Sequence, residues 1–139
     1  DMTPDVRLTF MNDYVALDRD LMQARLHLAS DDAYHRMVSD RMGMYDASLQ
    51  RLNERFRNAT GNDRAEYARQ LIHLRKQQDD LAHRHMRLQY GRNMTDAERM
   101  QLRNSLTTDL AAYDRAVYDT SLDMGAPMYM TGNTPRTGR

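Results

Sequence analysis

Apolar residues recur along this chain at alternating intervals of four and three, the pattern of helices that press one stripe of side chains against a neighbour. Phe10, Tyr14, Leu17, Leu21, Ala24 and Leu28 keep this rhythm in a first block. Val38, Met42, Tyr45, Leu49, Leu52, Phe56 and Ala59 keep it in a second. A third block carries Tyr67, Leu71, Leu74, Gln78, Leu81, His85 and Leu88, and a fourth Leu102, Leu106, Leu110, Tyr113 and Val117. The pattern predicts helices at about 4–28, 31–59, 63–90 and 96–120, each stripe forming the seam of its helix.

The punctuation supports these limits. Thr3 before Pro4 reads as an N-cap followed by proline at the first helical position, and Ser30-Asp31-Asp32 as the cap of the second block. Thr60-Gly61-Asn62-Asp63 is a turn, in which Gly61 or Asn62 can take the left-handed conformation. Asp63, with Glu66 three residues on, is expected to cap the third block. Gly91-Arg92-Asn93 breaks the pattern again, and Thr95 with Glu98 forms a capping box for the fourth block.

Connections this short make successive helices antiparallel, and the expected fold is an all-α, up-down four-helix bundle. One alternative stays open. The seam continues in phase from Leu28 through Asp31 and His35 to Val38 without Gly or Pro. The first two blocks therefore also permit one long helix, in an extended antiparallel hairpin folded at Gly61. Polar Asp31, His35, Arg92 and Thr95 favour breaks, because a continuous seam would leave them half buried. Residues 121–139 form an extended C-terminal tail, with Ser121 to Pro127 ending the last helix. Alone, such a segment is expected to be disordered, and packing against a partner or a second copy is the simplest thing that would order it.

Composition narrows the function more by exclusion than by signal. Twenty basic residues balance twenty acidic ones across 139 residues, so no net field draws in nucleic acid. No run approaches the roughly 20 apolar residues of a membrane span. The chain holds no Cys, which removes disulfides, thiolate ligands and Cys nucleophiles together. It opens on Asp1, and a processed chain is expected, in an organelle or the periplasm rather than the cytosol.

Candidate chemistry is thin. The acid pairs Asp31/Asp32 and Asp79/Asp80 suit a helix start and a solvent face. No Glu-x-x-His pair, nucleophile elbow or glycine-rich phosphate loop occurs. The twelve Met and five His residues leave one soft-metal possibility, at Met37, His85 and Met86, where the second and third helices would fold back on each other. Against it, unbranched Met fills irregular cores. Gln78 and His85, polar on an apolar seam, suit a register-fixing role better than a ligand role. Tyrosine and methionine near helix ends suit interfaces, and Tyr90, Tyr118, Met124, Met128, Tyr129 and Met130 mark the expected docking surface.

Met2-Thr3-Pro4-Asp5-Val6-Arg7 and Met94-Thr95-Asp96-Ala97-Glu98-Arg99 are similar to each other. Both, with Leu81-Ala82-His83 ahead of the second, resemble the L-T-x-x-Q signature of the periplasmic helical stress proteins, a family of chaperones and metal sensors. Met stands where that signature has Leu, and Val6-Arg7 or Glu98-Arg99 where it has Gln, so no site residue carries over. The resemblance implies an exported, all-helical, Met-rich protein that dimerises into a cradle for unfolded clients. The residues themselves lead first to a non-catalytic structural or accessory subunit. It needs no cofactor and acts through contacts with other protein subunits or with itself. A chaperone or Met/His metal-binding stress protein is the alternative.

Overall fold

A computed structural model describes residues 4–125. Four α-helices account for nearly all of them: α1 (Pro4–Leu28), α2 (Asp31–Asn58), α3 (Gly61–Tyr90) and α4 (Asp96–Asp123). The expectations for Thr3 and for Met128, Tyr129 and Met130 fall outside the described residues. The compact bundle is the fold, and the long hairpin is not. α1 ends at Leu28, and Ser30 caps α2 by accepting from the Ala33 amide at 3.3 Å.

The other helix ends follow local chemistry closely. Thr95 and Glu98 form the reciprocal capping box of α4, with bonds of 3.0 and 2.8 Å. At the α2–α3 turn Gly61 takes a φ of 64°, which costs glycine little. Asp63 does not cap α3, because the helix starts earlier: Thr60 holds the N-cap position, and Asp63 lies within the first turn. Arg64 instead closes this corner. Its guanidinium lies 4.4 Å from the centre of the Phe56 ring and donates to the carbonyls of Phe56, Arg57 and Ala59. The Phe56 carbonyl also accepts from the Ala59 amide at 3.1 Å, and a cation at a helix C-terminus answers its dipole.

Tertiary contacts define an up-down-up-down bundle that is not evenly closed. α4 packs against all three other helices, and α1 rests chiefly on α4. Contacts of α1 with α4 run antiparallel, from Asn12–Tyr118 through Arg19–Asp114 to Leu26–Arg103. α2 lies parallel to α4, with Tyr34 beside Arg103 and Thr107 and Tyr45 beside Asp114. The expected seams of α2, α3 and α4 all face inward. Val38, Tyr45, Leu49, Leu52, Leu71, Leu74, Leu81, Leu88, Leu106, Leu110, Tyr113 and Val117 make up most of the core. α4 buries a second stripe as well, Thr107, Ala111, Asp114, Tyr118 and Ser121, as a helix with partners on several sides must.

α1 departs from expectation. Its predicted seam faces solvent, with Phe10 65%, Leu17 58%, Leu21 47% and Leu28 88% exposed. The stripe that meets the bundle lies one residue on, about 100° round the helix. Val15, Met22 and Leu26 are buried there, and Met11 packs beside them. The reason is polar. Asp114 of α4 is completely buried, and a buried carboxylate needs cationic and hydrogen-bonding partners. Arg19 supplies one, at 3.1 Å, and it lies on the second stripe. Asp18 beside it pairs with Arg41 of α2 at 3.0 Å, and Asn12 accepts from Tyr118 at 2.6 Å.

Candidate functional site

Three features of the described residues carry more chemistry than ordinary packing: the outer face of α1, the enclosed Asp114 cluster, and a histidine pair between α2 and α3.

The outer face of α1 presents Phe10, Tyr14, Leu17, Leu21, Ala24 and Leu28 to solvent in coiled-coil spacing. Exposed Leu residues scattered singly are unremarkable, but a continuous stripe along one helix marks a contact surface. Asp13, Asp20 and His27 flank it on one side and are also exposed.

The Asp114 cluster is closed. The Tyr45 hydroxyl donates to one carboxylate oxygen at 2.6 Å, and Arg41 approaches the same oxygen at 3.6 Å. The other oxygen accepts from Arg19. Burial, and then the Asp114 charge, push the Tyr45 hydroxyl well above the usual tyrosine range, so it stays a donor. With its oxygens engaged by three side chains, the carboxylate ties α1, α2 and α4 in one register. Nothing in the sequence pattern marked Asp114, because it sits off the α4 seam; its only signal was a charge flanked by apolar residues at 110, 111, 113 and 117.

The histidine pair joins one residue expected at a site to one that was not. His85 is mostly buried on α3, and its Nε2 lies 3.1 Å from His35 Nδ1 on α2. Burial, and then the neighbouring His35, lower the pKa of His85. Beside the pair runs a cleft of about 520 Å³ whose walls include Met42, Asp46, Gln78, His85 and Met86. Met37, expected near His85, is half-buried against the core, and Met86 is exposed. Among the described residues no group of three or more His, Asp or Glu could hold a metal ion. Any metal here would need the thioethers. Gln78 lies two turns further along the same wall, donating to Asp46 and accepting from the Tyr113 hydroxyl at 2.8 Å. It links α2, α3 and α4 as a register element.

The expected docking surface divides. Tyr90 is exposed at the C-terminal end of α3. Tyr118 and Met124 do not share its surface: both are buried core residues near the opposite end of the bundle. The Tyr118 hydroxyl is satisfied by Asn12 of α1. No described helix is long and apolar enough to cross a membrane.

No known protein family, no curated protein and no solved structure matches the chain.

Proposed function

We propose that this protein is a non-catalytic helical subunit that works through protein–protein contacts in a larger assembly. The observation that carries the reading is the exposed apolar stripe of α1, six residues in coiled-coil register that no other described helix buries. Leaving so much apolar side chain in water is unfavourable, at about 25 cal/mol per Å², and a partner helix would remove the cost. The buried ionisable groups support the same reading. Asp114 is consumed by Tyr45, Arg19 and Arg41, which leaves it engaged in structure.

Radical footprinting tests this directly. In a concentrated native extract, Phe10, Tyr14 and Leu17 should be labelled several-fold more slowly than in the isolated chain diluted until it is monomeric. Equal labelling in both would remove the reading.

One observation favours a metal-binding stress protein as a second reading. Two imidazoles meet at 3.1 Å, and the cleft that His85 lines also has Met42 and Met86 in its walls; imidazole with thioether is a donor set suited to Cu(I). Titration with Cu(I) against a competing chelator should give one site per chain, lost in His35→Ala and His85→Ala. Binding unchanged by both substitutions would sink it.

A further inference from the structure

The surface that the subunit reading relies on has an internal pattern that identifies its occupant. We propose that the outer stripe of α1 is a self-association seam, in which two copies pair their α1 helices antiparallel about a twofold axis near position 19. This rests on the reading above and narrows the partner to a second copy of this chain.

Side-chain size is the first argument. Reversing the stripe about its midpoint sets Phe10 against Leu28 of the second copy, Tyr14 against Ala24, and Leu17 against Leu21. The largest residue near the middle of the stripe meets the smallest, so each layer is filled without a void or a clash. A parallel pairing would set Ala24 against Ala24 and Tyr14 against Tyr14, leaving a gap in one layer and crowding another. An isologous contact of this kind closes on itself as a dimer.

Area points the same way. The stripe exposes on the order of 500 Å² of apolar side chain per copy, at the upper end of what a monomer shows. Two such faces with their flanks reach the low end of the roughly 1,200–2,000 Å² of a specific interface. α1 lies at the edge of the bundle, resting chiefly on α4, so a second copy can approach without displacing another helix. Along one flank Asp13 meets His27 of the second copy. The two Asp20 carboxylates face each other across the axis, and they are the single repulsive pair that this flank brings together.

Sedimentation velocity, with spin labels placed in this cysteine-free chain, tests the seam. The wild-type chain should be a dimer that dissociates on dilution. Leu17→Glu with Leu21→Glu should raise the dissociation constant more than about 100-fold while leaving helicity and Tm in place. Asp20→Asn should tighten the dimer several-fold, which a contact with an unrelated partner has no reason to do. A nitroxide at Asp20→Cys should report a short distance between copies. One at Asp13→Cys should be displaced by about 18 Å along the helix axis. Equal distances at the two positions would mean a parallel pair and would overturn the proposal. A chain that stays monomeric at high micromolar concentration would overturn it too. If footprinting in the extract still protected Phe10 and Tyr14, the subunit reading would then survive with a different partner on the stripe. Loss of the fold in the double Glu variant would place the stripe inside the monomer and remove both.

Discussion

The hydroxyl of Tyr45 donates to Asp114 over 2.6 Å, and neither side chain reaches solvent. Arg19 from α1 and Arg41 from α2 complete the surroundings of the carboxylate at 3.1 and 3.6 Å. One buried acid thus sets the relative positions of three helices. It also sets the rotation of α1, because Arg19 reaches Asp114 only when the Phe10–Leu28 stripe is turned outward.

Tyr45→Phe should lower stability by about 1.5–3 kcal/mol, the worth of a hydrogen bond to a charged group. Asp114→Ala should cost more, about 3–5 kcal/mol, because it strands Arg19 and Arg41 beside an apolar interior. Urea denaturation of both variants checks the order. If Asp114→Ala proved the milder change, the cluster would not organise the fold.

The two faces of α1 should behave oppositely. Leu26 is fully buried and Leu17 largely exposed, so at dilutions where the chain is monomeric Leu26→Ala should lose about 2–5 kcal/mol. Leu17→Ala should change stability by less than about 0.5 kcal/mol. Equal losses would mean that the predicted seam faces the core after all.

Two glycines should respond with opposite sign. Gly43 lies within α2 with open space where a Cβ would go. Gly43→Ala should therefore raise stability by about 0.5–1 kcal/mol through helix propensity. At Gly91 an added Cβ would sit 2.3 Å from the Arg87 carbonyl oxygen. The segment is also held there, as Arg99 donates to the carbonyls of Leu88 and Gly91. Gly91→Ala should cost about 1–3 kcal/mol. Thermal melts of the two variants on either side of the wild type are the expected result.

The His35–His85 pair should make stability fall in acid. His85 has a pKa below its ordinary value when folded, owing to burial and to His35. The unfolded chain consequently binds a proton first. Stability contributed by neutral His85 is present above about pH 6.5, is lost as the pH falls below that, and levels off once the folded-state pKa is passed. Denaturation curves from pH 7.5 to 5 should show this slope, reduced in His85→Gln. The same slope in both proteins would assign it to other groups.

What the sequence determined by itself was local and periodic. Helix existence, three of the four core stripes, the Ser30 cap, the Thr95–Glu98 box and a left-handed residue at Gly61 or Asn62 follow from spacing and from short-range bonding. All of these depend on residues a few positions apart; the long hairpin stayed open in the sequence, and the structure excluded it by ending α1 at Leu28. The sequence also placed His85 on a seam, but its partner His35 lies fifty positions away and came from helix pairing. Tertiary structure alone decided which face of α1 is buried. That helix carries two stripes of comparable apolar character, and periodicity favours the more regular one. The choice was made by Asp114, whose burial demands a cation that only the less regular stripe holds. Tyr118 and Met124 turn inward for a related reason, since α4 has neighbours on three sides and buries residues that one seam would leave exposed. The strength of a buried charge pair depends on the low-dielectric surroundings that the assembled helices create. A pattern of letters along one helix contains no trace of it.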